Sequence, residues 1–246
     1  DAYGHGVVRV ASALGDDVDA LGVACVEEAV ALREAGISPP IVLLEGPFEA
    51  RELSAIVVHE LESVVHNEQQ LAWFTRHDAN TTLWIKFDTG MHRLGFAPAD
   101  AARVVGALQR PGRALRVMTH FASAHLAGDA SVIAQLQDFE AAVKDLPAAR
   151  CIANSSAILN WPQSHTDWVR PGLMLYGVSP LAERSASELG LRPALTVTSA
   201  LIAVKTVPAG GTVGYGQSYR CPETMPIGIV AFGYADGYPR HAATGT

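Results

Sequence analysis

Through its first 180 residues the sequence alternates short strand-like apolar runs with longer stretches whose apolar residues recur at helical spacing. That alternation is the signature of βα units wound around a parallel sheet, which needs apolar strands buried on both faces and helices with one apolar stripe. Seven strand-like runs stand out, at 21–25, 41–46, 62–66, 82–88, 115–121, 150–155 and 168–175. The clearest helix lies in SVIAQLQDFEAAVKDL, where Val132, Leu136, Phe139, Val143 and Leu146 form one stripe suited to packing on a sheet, and it reads as scaffold. EEAVALREAG, 27–36, ends on Gly36 with Pro39 and Pro40 beyond it, a helix stop before a new strand.

The opening DAYGHG has the look of a strand-to-helix turn, and GVVRVASALGDD after it reads as the first helix. A strand is therefore expected ahead of residue 1, and eight strands make a (β/α)8 barrel of the TIM type over 1–180. After Pro180 the texture changes. LTVTSALIAVKTV alternates, PAGG reads as a turn, and GTVGYGQSY and MPIGIVAFGY follow as strands with no helix between them. Residues 181–246 are thus expected to begin a mostly β second domain that is incomplete at Thr246, the chain being a piece of a longer protein.

With 246 residues and 49% hydrophobic side chains, the chain can bury a substantial core. Its net charge of −7, with no run of lysines or arginines, removes the electrostatic footprint of nucleic-acid or anionic-membrane binding and favours a small-molecule ligand. Cys25, Cys151 and Cys221 make no CxxC or Cys/His spacing, which argues against a disulfide framework or structural zinc and suits a reducing compartment, the cytoplasm. No apolar run approaches the ~20 residues of a membrane span, and no signal peptide is visible. His59 and His66 lack the HExxH spacing, so no metal is expected. The glycines of AGGTVGYG do not make a dinucleotide fingerprint.

In a barrel of this kind the reactive groups gather at the C-terminal ends of the strands. In TLWIKFDTGMHRLG, alternation puts Leu83, Ile85 and Phe87 toward the helices and sends Trp84, Lys86 and Asp88 inward. A buried lysine needs a partner, and Asp88 or a covalent modification is the expected one, with a lysine snorkelling at the rim as the ordinary alternative. Arg93, past a glycine turn, is expected to reach over the mouth. The same alternation places His120 at the end of its strand, as either a structural or a catalytic histidine. Asn154 and Ser155 end a strand and begin a helix, where backbone N–H groups and a hydroxyl suit a phosphate, unless the serine is merely an N-cap. WVRPGLMLYG adds Arg170 and the backbone of Gly172 and Leu173, and together these point to a phosphate-bearing cofactor.

The segments AYGHG, KFDTGMHRLG, THFASA, ANSSA, VRPGLMLYG, VGYGQSY and FGYADGYPR, in this order and spanning nearly the whole chain, resemble the alanine racemase family. The resemblance implies interconversion of L- and D-alanine with pyridoxal 5'-phosphate. It implies a barrel followed by a β domain, and a homodimer whose two active sites each borrow residues from the partner. In that family a lysine just ahead of the AYGHG stretch holds the cofactor as a Schiff base, and a C-terminal portion supplies a Met-Asp pair and another phosphate-binding tyrosine. Neither is in this sequence, so the chain alone is expected to be inactive.

Matched residue by residue, Tyr3, Ser155, Gly172 and Leu173 look like the phosphate contacts. Arg170 resembles the donor to the pyridine nitrogen, and His120 the ring-side histidine that orients it. Arg93 matches the residue that bonds the phenolic oxygen and the substrate carboxylate, and Lys86 a lysine often carbamylated. Tyr215 matches the second catalytic base, and Tyr234 a residue of the substrate entrance. Racemisation needs a base on each side of a planar carbon, which the absent lysine and Tyr215 would supply. A tyrosine, with a reference pKa near ~10, needs positive neighbours to act near neutral pH. A related decarboxylase carries glutamate where Arg170 stands, which disfavours that reading. A broad-specificity amino-acid racemase and a non-catalytic cofactor-binding barrel are competing readings, the second disfavoured by the strands after residue 190. Supply of D-alanine for the cell wall and alanine breakdown are both compatible with the resemblance.

Overall fold

A computed structural model of the chain describes residues 1–77 and 80–242; residues 243–246, the last of the expected second domain, lie outside them. Contacts divide the chain into two compact units, Asp1–Ala194 and Leu195–Thr246.

In the first unit seven parallel strands pair in sequence order. They are β1 (Leu21–Val23), β2 (Ile41–Leu43), β3 (Glu62–Val65), β4 (Leu83–Lys86), β5 (Leu115–Met118), β6 (Ala149–Asn154) and β7 (Trp168–Arg170). The helices are α1 (Val7–Leu14), α2 (Val26–Glu34), α3 (Leu53–Val58), α4 (Glu68–Arg76), α5 (Ala101–Leu108), α6 (Ala130–Val143) and α7 (Ser155–Asn160). This is the barrel-type α/β fold the alternation implied, its strands alternating with helices along the chain.

Two apolar clusters show which way the strands face. Leu83, Ile85 and Phe87 join Phe74, Phe121, Phe139 and the inner faces of the helices in the larger one. Each fully buried side chain of this size stabilises the fold by about 2 kcal/mol. Val42, Val64, Trp84, Met118 and Cys151, one from each of β2 to β6, form the second cluster, on the opposite face of the sheet. Pairing aligns Trp84 with Arg116 and Lys86 with Met118, so successive layers of inward side chains can be read from the register.

One of these layers closes the N-terminal end. Glu62 Oε2 accepts both the Trp84 indole N–H and Arg116 Nη1, each at 2.6 Å. The Arg116 guanidinium lies 4.7 Å from the Trp84 ring and 4.5 Å from that of Trp168. A charged pair packed on two indoles, still partly exposed, makes a floor at this end, and the C-terminal ends of the strands lie opposite it.

The strand-like run at 168–175 is a strand only over its first three residues. Pro171 has no N–H for a ladder and ends β7, and the chain turns through Gly172 into a 3-10 turn, Leu173–Tyr176.

The second unit holds β8 (Leu201–Val207), β9 (Thr212–Val213), β10 (Tyr219–Arg220) and β11 (Met225–Val230). Strand β8 pairs antiparallel with β11, and β9 with β10. The alternating run that begins at Leu195 becomes a strand only from Leu201. Among the described residues no helix is long and apolar enough to cross a membrane.

Candidate active site

Gly172 is the point on which one end of the site converges. A β-carbon there would lie 3.0 Å from Tyr3 Oη and 3.9 Å from Ser155 Oγ, so glycine is what lets the two hydroxyls meet this backbone. The Gly172 N–H already donates to Ser155 Oγ at 2.8 Å. Ser155 is not the N-cap of α7. That role belongs to Asn154, whose Oδ1 accepts the Ala157 N–H at 3.0 Å, leaving the Ser155 hydroxyl turned toward residues 172–174.

Tyr3 is held in an unusual backbone. Both Ala2 and Tyr3 have left-handed φ, 51° and 55°, a conformation that costs about 1 kcal/mol or more for a residue with a β-carbon. Aromatic packing supports it: the Tyr176 ring lies 5.1 Å from that of Tyr3 and 4.5 Å from that of His5. Tyr176 is not among the residues the motifs single out; its spacing from Gly172 along one short turn is the available signal.

Arg170 lies two residues before this cradle, at the end of β7. Its Nη1 donates to the Cys151 carbonyl at 2.8 Å and reaches Cys151 Sγ at 2.9 Å. Its Nη2 donates to the carbonyls of Thr119 at 2.7 Å and Ile152 at 3.2 Å. Every one of these acceptors is neutral, so the guanidinium is fixed in place with its charge uncompensated. The expectation that His120 orients Arg170 has no hydrogen bond behind it; strand-end carbonyls do the holding.

His120 bonds to Asn154 instead, Nε2 to Nδ2 at 3.4 Å. Because Asn154 Oδ1 is occupied by the cap, its amide nitrogen faces the ring, and Nε2 of His120 must be an acceptor. The histidine is therefore neutral. Burial first, then the charges of Arg170, Arg93 and Lys86, push its pKa down to about 3.

Lys86 is 7% exposed, which excludes the snorkelling alternative. The Asp88 pairing is also corrected. Beyond β4 the chain turns through Gly90, and Asp88 Oδ1 bends back to accept the N–H groups of Gly90 and His92, each at 3.0 Å. Among the described residues the Lys86 ammonium has no hydrogen bond or ion pair. Burial foremost, and then Arg93 and Arg170, lower its pKa to about 8. Arg93 is exposed, and its charge is felt at both Lys86 and His120, as expected of a side chain reaching the mouth.

Tyr215 and Tyr234 belong to the second unit and are 97% and 58% exposed there. Tyr215 opens a short 3-10 turn, Tyr215–Gln217.

Cations that, among the described residues, form no carboxylate ion pair, and a hydroxyl-lined backbone cradle, at the open end of parallel strands, suit a barrel enzyme for a small anionic ligand. Residues 1–180 match the family described as "Alanine racemase, N-terminal domain", and residues 194–246 match "Alanine racemase, C-terminal domain". The chain is 46% identical to the alanine racemase of Pseudomonas entomophila (strain L48) and 46% identical to the catabolic alanine racemase of Pseudomonas putida; in each case the match covers 100% of this chain and 70% of the relative. The biosynthetic alanine racemase of Pseudomonas aeruginosa superposes with a TM-score of 0.92 at 43% identity, over 100% of this chain and 70% of that one. That of Acinetobacter baumannii gives 0.90 at 36% identity, over 97% and 68%. The chain belongs to the alanine racemase family, isomerases that interconvert L- and D-alanine.

Proposed function

We propose that the barrel mouth binds pyridoxal 5'-phosphate and that alanine is racemised there. The observation that carries this reading is the cradle at Gly172, where the Ser155 hydroxyl accepts the backbone N–H and the Tyr3 hydroxyl comes so close that a β-carbon would crowd it. Tyr3, Ser155, Gly172 and Leu173, with Asn154 capping α7 beside them, would hold the phosphate. Arg170 would face the ring nitrogen and His120 the ring. The chemistry this cofactor supplies when bound is electron withdrawal from the substrate's α-carbon.

A guanidinium does not give up its proton, and with its Nη groups engaged by Cys151, Thr119 and Ile152, Arg170 would have its Nε–H to offer the ring nitrogen without protonating it. Electron withdrawal by the cofactor would then stay moderate, which would disfavour side reactions such as transamination. Arg93 binds the substrate carboxylate and orients the α-carbon. Tyr215 is the base on one side, and its exposure in the chain suits service at the mouth of a second copy in a homodimer; Tyr234 would line that entrance.

Lys86 carries a carbamate in this reading. With its pKa lowered to about 8 the amine has an available lone pair near neutral pH. The ammonium first gives up one proton, and the resulting amine adds to carbon dioxide with loss of a second, turning a buried cation into an anion that holds Arg93. Labelling the holoenzyme with ¹³C-bicarbonate should give a carbamate signal that is absent from Lys86→Met.

The unpaired cysteines suit the cytoplasm, where the reaction would serve either D-alanine supply for the cell wall or alanine breakdown. Absorbance of the holoenzyme, full-length and with the lysine that the family carries ahead of the AYGHG stretch, tests the cofactor reading: a band near the visible edge that borohydride discharges supports it, and racemisation by protein free of that band overturns it.

A further inference from the structure

Helix α6 carries a residue that does not belong on an apolar stripe. Gln135 is 3% exposed, between Val132 and Phe139 on the buried face. Its Oε1 accepts the Ala122 N–H at 3.0 Å, and its Nε2 donates to the His120 carbonyl at 3.1 Å. One amide thus grips residues 120–122 from both sides, as a neighbouring strand would. The second amide hydrogen goes to Thr89 Oγ1 at 3.4 Å. Thr89 Oγ1 in turn shares a hydrogen bond with Thr119 Oγ1 at 2.9 Å. Thr119 is the residue whose carbonyl holds Arg170. The Gln135 side chain also lies against Gly90, in the turn that leads to Arg93.

The same device recurs two strands earlier. Gln70 on α4, 2% exposed, accepts the His66 N–H at 3.0 Å and donates to the carbonyls of Glu45 at 2.9 Å and Pro47 at 3.0 Å. In both cases the helix after a strand ties that strand's end to the end of the strand before it. The two clamps differ in what they hold: Gln70 fixes a stretch without any proposed site residue, whereas every segment held by Gln135 bears one.

We infer that Gln135 is a positioning residue of the racemisation site, setting the turn that carries Arg93 against the strand end that carries His120 and supports Arg170. This rests on the proposed role of Arg93 at the substrate carboxylate. A buried side chain with both amide hydrogens and its oxygen engaged has one orientation, and it transmits that orientation to both segments at once.

The test compares Gln135→Met with Gln70→Met in the holoenzyme, since each removes three hydrogen bonds from an equivalent place. Both variants should lower Tm. Gln135→Met should also raise KM for alanine and lower kcat/KM roughly tenfold or more, the scale of a small misplacement of a binding group, while Gln70→Met stays within about threefold. Combined with Arg93→Ala, Gln135→Met should cost much less than it does alone. The Ala122 amide should exchange its hydrogen faster in Gln135→Met irrespective of activity. If Gln135→Met fails to fold, Gln135→Glu, which keeps the acceptor and loses both donors, is measured in the same way. Losses of kcat/KM that follow Tm alike in the two glutamine variants, or Gln135 and Arg93 effects that multiply, overturn the inference alone. An unchanged KM in Arg93→Ala overturns the reading of Arg93 and the inference with it.

Discussion

Gly172 approaches Tyr3 so closely that a β-carbon at residue 172 would stand 3.0 Å from the tyrosine hydroxyl oxygen. Gly172 is not in a left-handed turn, its φ being −129°, and the closeness of Tyr3 is a matter of space. Gly172→Ala should therefore fold with little loss of Tm and weaken cofactor affinity about tenfold, the scale of a single overpacked methyl. Titration of pyridoxal phosphate into the two proteins checks this. Equal affinity would remove Gly172 from the cradle.

His120 titrates at about 3 in the fold against 6.5 when unperturbed. Between these values the unfolded chain binds a proton that the folded chain does not, so this residue's contribution to stability is lost as pH falls from 6.5 toward 3. His120→Gln should lose less Tm than the parent between about pH 7 and pH 4.5. Parallel curves would show that the histidine is not held neutral by its surroundings.

The floor of the barrel is expected to be structural only. Arg116→Met strands Glu62 among indoles with one donor, and should destabilise the protein by about 2–4 kcal/mol, the range for breaking a buried charge pair. Urea unfolding reads the stability. A kcat unchanged within about twofold is expected, because the layer lies at the far end of the strands from the cradle.

Tyr215→Phe tests the two-base reading. Because L- and D-alanine have equal free energy, kcat/KM must fall equally in both directions, and the distinction lies in the isotope effect. With α-deuterated alanine the effect should grow for one enantiomer and not for the other. Growth for both would argue for a single base.

Much of the fold is legible in the sequence because period and burial agree. Alternation in 82–88 assigns Leu83, Ile85 and Phe87 to the helices and Trp84 to the inner face, and the two clusters divide in that way. Local chemistry that competes with period is not legible. Pro171 cuts β7 short of an apolar run, and Asp88 caps its own turn when a lysine two residues earlier needs a partner. Gln135 escapes a stripe drawn through Leu136 next to it, although spacings of three and four from Val132 to Phe139 put the glutamine on the buried face. A polar residue on such a stripe is the signal to follow, since burial without partners would be costly.

The crystal structure of the holoenzyme tests the central claim most directly. The account predicts phosphate density within hydrogen-bonding distance of Tyr3 Oη, Ser155 Oγ and the backbone at Gly172, with the pyridine nitrogen facing the Arg170 guanidinium. A ring nitrogen turned to a carboxylate, or a phosphate seated away from residues 3, 155 and 172, would contradict it.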